Sequence, residues 1–553
     1  MSNSAKLSAR ERIESLVDAN SFVEIGGMIT KRNTDFNMQE KAVPADGVIT
    51  GYGVVNSNLV YIYSQDVTAL NGSVGEMHAK KIAGIYEMAM KAGAPVIGLI
   101  DCAGIRVQEA MDALAGFGDI YMAKVNASGV IPQISAVLGS CGGGVAISSK
   151  LGDITIIEKT NGKLFVNSPN AIAGNRIEKC DTSDAAFQAE CGNADIVCEN
   201  EQEVFTTIRS LIDLLPANAG AAVVVENSDD PNRVLDGFDG YATDAKAALT
   251  QIADDTKFVE LKAEYGKEMV TGLLSLDGVT VGAIANAKEG ILSTAGCKKA
   301  EQFMYFCDAF NIPVVTLTNV KEYAADMQEE KTISQAVADL TYAFASADVP
   351  RINVITGEAY GSAYVSMNSK HIGADLVLAL DSAKVGVMDA KVAAQILCED
   401  EISQAANTKE ALEEKAKEYQ VTDSVIFTGM VSPDEVARYY QIGDLFVSAS
   451  TSETQGMTYD EALAGGVPLL CRKDDCLKEV VTEGKNGWQY ENESMYLECI
   501  QKWKEFSEDE KRRMRNTAVR TADQFSKESF AKRMERVYLA ALEERKRRNV
   551  YAA

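Results

Sequence analysis

Two hydrophobic periods take turns along the first 420 residues. "LVYIYSQD" (59–66) carries apolar side chains at alternate positions, "EMHAKKIAGIYEMAMKAG" (76–93) carries them at three-to-four spacing, and "APVIGLID" (94–101) is almost wholly apolar behind a proline. These patterns predict a half-buried strand, an amphipathic helix and a fully buried strand in that order. Further upstream, Ser8 followed by Glu11 forms a capping-box pattern, opening a helix with Ile13, Leu16 and Val17 on one face.

The order then recurs. "APVIGLID" (94–101) matches "IPVVTLTN" (312–319), and "IPQISAVLGSCGGGVA" (131–146) matches "VPRINVITGEAYGSAY" (349–364), both at an offset of 218. Two matches at one offset indicate a duplicated unit, covering about 20–215 and 225–420. Each copy continues with a second helix, another Pro-led strand and a small-residue turn feeding a third helix. Strands alternating with helices at this spacing predict α/β units with mostly parallel sheet.

Composition narrows the chemistry. At 553 residues the chain is too long for a single core. A net charge of −26 argues against nucleic acid and anionic membrane as partners. Residues 421–553 hold 23 of the 80 acids and 20 of the 54 bases, a net of −3, so the first 420 residues carry −23. Two compositions therefore meet near "EEKAKEYQVTDSVIFTGMV" (413–431), where a charged helical pattern runs into a β-branched run with no linker. The 11 cysteines form no C-x-x-C pair and no zinc-like spacing with His, so no metal site is expected. Reduced thiols, no signal core and no membrane-length apolar run give a cytoplasmic expectation.

The candidate chemistry sits in the small-residue turns. Gly142, Gly143 and Gly144 end a strand and enter a helix, which leaves backbone N–H groups free to meet an anion. Glycine allows close approach and unusual φ. Packing of helix on strand explains such a run equally well. "AYGSAY" places Gly361, Ser362 and Ala363 at the equivalent turn, and the loop "DCAGIRVQEA" (101–110) offers the N–H of Gly104 or Ile105.

"GSVGEMHAKKIAGIYEMAMKAGAPVIGLIDCAGIRVQEAMDALAGFGDIY", "ASGVIPQISAVLGSCGGG" and "AYGSAYVSMNSKHIGADLVLAL" resemble the carboxyltransferase subunits of biotin-dependent acyl-CoA carboxylases and decarboxylases, over residues 7–420. The resemblance implies two tandem crotonase-like domains, 1–220 for an acyl-CoA and 221–420 for carboxybiotin, meeting between subunits of a homo-oligomer. Carbon dioxide would pass to or from the acyl α-carbon through a thioester enolate. Gly143 and Gly144, with the 104–105 loop and Gly142, would hold the thioester oxygen. Ser362 and Ala363, beside Gly361 and Tyr323, would hold the biotin ureido oxygen. Biotin would arrive on a separate carrier protein, with biotin carboxylase or membrane decarboxylase subunits as further partners and a peripheral membrane association in the latter case. No side-chain base is required, so His78 and His371 are expected to be structural. The chain departs from relatives at "NVKEYAADMQEEK", where Glu322 and Tyr323 stand opposite Gly104 and Ile105, and at Cys102-Ala103, where small glycine pairs are common.

After 420, "DLFVSASTSETQGMTYDEALAGG" resembles the nucleotide-sugar half of a retaining GT-B glycosyltransferase, with Glu453 facing the sugar, Glu461 the ribose and the backbone from Gly456 the diphosphate. The expected third segment, 421–553, is a partial Rossmann-like remnant without an acceptor domain. The competing readings are a GT-B glycosyltransferase and a non-functional chimeric chain.

Overall fold

The structure is a computed structural model. It describes residues 6–33, 43–222, 229, 230, 232–235, 244–287, 290–388, 431, 433–450, 457–474, 477, 478, 480–526, 529, 531–536 and 538. The chain divides into two compact units, Met1–Glu399 and Asp400–Ala553.

In the first unit, helix α1 (Ala9–Leu16) carries the capping box as expected, with Ser8 and Glu11 bonded reciprocally. The first repeat contributes β1 (Val23–Ile25), β2 (Val48–Val55), β3 (Asn58–Gln65), α2 (Glu76–Ala92), β4 (Val96–Cys102), α3 (Ala110–Ala127), β5 (Gln133–Gly142), α4 (Gly144–Lys150), β6 (Ile154–Glu158), β7 (Lys163–Phe165), α5 (Ala173–Glu178), α6 (Ala185–Glu190), β8 (Ile196–Cys198) and α7 (Glu201–Leu214). The second contributes α8 (Ala245–Ile252), β9 (Phe258–Leu261), β10 (Met269–Leu276), β11 (Val279–Asn286), β12 (Ile291–Leu292), α9 (Thr294–Ala309), β13 (Val314–Val320), β14 (Glu322–Tyr323), α10 (Ile333–Ser346), β15 (Arg351–Tyr360), α11 (Gly361–Ser366), β16 (Leu376–Ala379) and β17 (Lys384–Gly386).

The first sheet runs β1-β2-β3-β4-β5-β6-β8 with β7 also on β5, and the second runs β9-β10-β11-β13-β15-β16 with β17 also on β15. Both are parallel beyond their third strand. The first two strand pairs of each sheet are antiparallel, which leaves both sheets mostly parallel, as expected. Two-residue connections set the β2–β3 and β10–β11 pairs: Asn56-Ser57 and Asp277-Gly278 all have positive φ, a hairpin geometry too short for a crossover.

The two sheets share an irregularity. Pairing of β4 with β5 slips between Ile100 and Cys102, and pairing of β13 with β15 slips between Thr318 and Val320, the same place 218 residues on. Such irregularities re-aim the strand end that follows. One apolar cluster joins Ile97, Leu99 and Ile134 of the first sheet to Phe205 and Ile208 of α7 and to Met269, Ile284 and Leu340 of the second repeat. A second packs Val96, Ile100 and Val137 against Ile82 and Ile85 of α2 and Phe117 of α3. Strands β4 and β5 are thus buried on both faces, as their continuous apolar runs demand.

In the second unit, Phe446–Ser448, Leu469–Arg472 and Gly487–Tyr490 form a parallel three-stranded sheet. Helix Met457–Ala464 packs Tyr459 and Leu463 into its core, and Trp488 meets Trp503 edge-on at 6.3 Å between centroids. Among the described residues no helix is long and apolar enough to cross a membrane.

Candidate active site

The three glycines after β5 answer to three different constraints. A Cβ on Gly142 would stand 2.7 Å from the Phe165 ring on β7, its partner in the sheet. Gly143 adopts φ 59° and ψ −124°, which L side chains rarely adopt, and a Cβ there would meet no atom within 4 Å. On Gly144 a Cβ would lie 2.9 Å from the Phe117 ring and 3.0 Å from the Tyr121 hydroxyl, both carried by α3. Tyr121 also donates to the Gly144 carbonyl at 2.8 Å, which fixes the first turn of α4.

The Gly143 amide is not a free donor, which corrects the pairing of Gly143 with Gly144. It donates to the Phe165 carbonyl at 2.9 Å because β7 runs alongside the end of β5. Gly143 supplies the backbone angle, and the Gly144 N–H has no partner among the described residues.

The loop after β4 resolves in the same way. Val74 donates to the Gly104 carbonyl at 2.9 Å and Arg106 to the Val74 carbonyl at 2.8 Å, so the intervening Ile105 amide faces away from this ladder without a partner among the described residues. The Gly104 N–H instead meets the Cys102 sulfur at 3.3 Å. Burial pushes the Cys102 thiol up to about 11, so it stays protonated. Gly104 has φ 108°, and a Cβ there would stand 3.7 Å from the Gly142 carbonyl, which sets the loop directly against the turn.

Behind the loop lies a buried polar cluster that sequence reading missed. Arg106 Nη1 donates to Asp46 Oδ1 at 2.5 Å and to Glu109 Oε1 at 2.8 Å. His78 Nδ1 pairs with the Asp46 carbonyl at 3.0 Å and its Nε2 with the Gln65 amide nitrogen at 3.2 Å, while Gln65 Oε1 accepts the Asp101 N–H at 3.3 Å. His78 is fully enclosed, a structural position. The available signals were small: an i, i+3 Arg-Glu pair within the loop, and amide side chains (Gln65, Asn286) closing equivalent strands.

In the second repeat, Gly361 takes φ 59° after β15. Ser362 and Ala363 follow it with no backbone donor bond among the described residues. Tyr323 takes the place of Ile105: Ala324 donates to the Leu292 carbonyl at 2.8 Å and Glu322 to that of Gly290 at 3.4 Å, so the Tyr323 amide faces away. Its hydroxyl lies 3.0 Å from Ser362 Oγ. The aromatic ring changes strand between repeats: Gly142 faces Phe165 in the first, Tyr360 faces Gly386 in the second.

His371 lies exposed on the short turn Lys370–Ile372. In the second unit Glu461 accepts from the Tyr440 hydroxyl at 3.1 Å. Glu453 and Gly456 lie outside the described residues, as does the junction at 420. Among the described residues no group of His, Cys, Asp and Glu is placed to hold a metal.

The carboxyl transferase domain matches residues 2–451, and glycosyl transferases group 1 matches residues 404–521. The propionyl-CoA carboxylase beta chain of Roseobacter denitrificans is 40% identical over 414 residues, 71% of this chain and 80% of that protein. The methylmalonyl-CoA decarboxylase subunit alpha of Veillonella parvula is 36% identical over 466 residues, 81% and 91% of the two chains. Among solved structures, the transcarboxylase 12S hexamer with hydrolysed methylmalonyl-coenzyme A bound matches with a TM-score of 0.69 and 34% identity, over 75% of this chain and 83% of that one. With duplicated sheets, two matching turns and a family match across most of its length, the chain belongs to the carboxyl transferase domain family and is a carboxyltransferase.

Proposed function

We propose that the protein moves carbon dioxide between carboxybiotin and the α-carbon of a short acyl-CoA, with the propionyl-CoA and methylmalonyl-CoA pair as substrate and product. The substrate choice rests on the names of its relatives. The observation that carries the mechanism is the pair of amides without a partner among the described residues, Ile105 and Gly144, on a loop and a turn in mutual contact. In this reading they donate to the thioester oxygen as the α-carbon gains carbanion character and charge moves onto that oxygen. Each such donor contributes roughly 2.7 to 4 kcal/mol to a transition state. Gly143 keeps the approach open because its missing side chain would point into empty space.

The second turn fits a ureido group by the same criterion, since Gly361 has a positive φ and the Ser362, Ala363 and Tyr323 amides have no partner among the described residues. Biotin, delivered on a separate carrier protein, supplies the carboxyl group and a ureido oxygen able to take up charge. The Tyr323 hydroxyl, against Ser362, shapes that entrance. We read 1–220 and 221–420 as the acyl-CoA and biotin halves, and a second copy of this chain as the cover for the exposed row Val107, Met111, Leu114, Met122 and Val125 on and beside α3. Biotin carboxylase or membrane decarboxylase subunits would supply or consume the carboxyl group. Residues 421–553 are read as a glycosyltransferase remnant that takes no part.

The test is biotin-dependent release of carbon dioxide from methylmalonyl-, malonyl- and glutaconyl-CoA, with free biotin or a biotin carrier present. Turnover should be fastest with methylmalonyl-CoA. No release from any of them by folded protein would sink the proposal.

A further inference from the structure

The cluster behind the 101–110 loop is more elaborate than the fold of the repeat demands. Arg106 is fully buried and turns its donors inward: Nη1 to Asp46 and Glu109, Nη2 to the Ser73 carbonyl at 2.7 Å, and Nε to Ser73 Oγ at 3.4 Å. Both carboxylates reach onward to α2, where Glu109 Oε2 accepts the Glu76 N–H at 2.7 Å and Asp46 Oδ2 the His78 N–H at 2.8 Å.

The second repeat shows what the fold requires. There Glu329 Oε2 accepts the Thr294 N–H at 2.7 Å, just as Glu109 caps Glu76, but Ala324 occupies the position of Arg106. A helix end in this architecture is therefore capped without any arginine. Burying one guanidinium with two carboxylates is also a weak way to stabilise a fold, although it fixes geometry tightly. The excess lies beside Ile105, whose own amide has no partner among the described residues and whose direction depends on its neighbours.

Building on the proposed role of the Ile105 amide, we propose that Arg106 is a positioning residue for the reaction: its fork into Asp46, Glu109 and Ser73 holds the Ile105 N–H on the thioester oxygen. The second turn has no such fork, and the direct contact of Tyr323 with Ser362 stands in its place.

The test compares two ligands on the full chain by calorimetry: propionyl-CoA, and S-propyl-CoA, a thioether that lacks only the carbonyl oxygen. The wild type should bind the thioester at least tenfold more tightly. Arg106→Lys keeps the charge and loses the fork, so the preference should fall below threefold while S-propyl-CoA affinity and melting temperature stay near wild type. Glu109→Gln, which retains an acceptor for the Glu76 N–H, should give an intermediate loss and serves alone if Arg106→Lys does not fold. A folded variant that keeps the full preference overturns the positioning role, and so does one that loses both ligands equally. If the wild type itself shows no preference, the failure lies in the donor role given to Ile105, and the positioning role falls with it.

Discussion

Protonating His78 should cost the first unit much of its stability, and the structure sets the size of the effect. The ring is neutral with its proton on Nδ1, donated to the Asp46 carbonyl, so that Nε2 accepts from the Gln65 amide. Burial, reinforced by the nearby Arg106 and Lys81 charges, pushes its pKa down from 6.5 to about 3. In the unfolded chain the ring binds a proton below its ordinary value; in the native chain it does not until about 3. The unfolded state therefore holds more protons across that window, so stability is complete above 6.5 and is lost as pH falls toward 3. At pH 5 the loss is about 2 kcal/mol, from 1.5 units at roughly 1.36 kcal/mol each. A charged ring would also turn an N–H toward the Gln65 amide group, and rotating that amide would remove the acceptor from the Asp101 N–H beside the active loop. Urea denaturation at pH 7.5 and pH 5 should be run on wild type and His78→Gln, which cannot titrate. Subtracting one pH effect from the other cancels the carboxylates and leaves His78. A difference under about 0.5 kcal/mol would refute the neutral, locked ring.

Gly143→Ala should fold with a loss of about 1 to 3 kcal/mol from its backbone angles alone, yet lose turnover by about a hundredfold or more; a fully active variant would leave Gly143 no role in the reaction. Ala110 holds φ 45° and ψ −119° at the start of α3, a region costly for any side chain, so Ala110→Gly should stabilise by about 1 kcal/mol, and a lowered melting temperature would contradict that. Ending the chain at Gln420 should leave carbon dioxide release intact, and the full chain should show no micromolar binding of UDP- or GDP-sugars in calorimetry. Loss of turnover on truncation would place needed structure between 421 and 451, where the family match continues.

The duplication and the location of both turns were legible because each is written in consecutive residues: a proline, an apolar run, then small residues, repeated 218 positions later. The choice of donors was not. Whether the amide of Gly143 or Gly144 is free depends on the Phe165 carbonyl, and nothing in a glycine run indicates which later strand will lie beside it. Arg106 has the same opacity, since its partners Asp46 and Ser73 come from segments 60 and 33 residues away. The alternation of strand and helix patterns marked the mostly parallel sheets correctly but not the antiparallel β2–β3 and β10–β11 pairs, which the tight Asn56-Ser57 and Asp277-Gly278 turns impose.

The exchanged aromatic ring constrains how the two repeats can trade material. Tyrosine introduced at 142 while Phe165 remains would drive its Cβ to within 2.7 Å of that ring. Glycine introduced at 360 while Gly386 remains would leave the second turn with no ring on either strand. A graft or recombination that moves only the end of the longer strand therefore yields one collision and one void. The two strand ends form a matched set, and a graft between these halves that keeps both turns intact must place its breakpoints outside both.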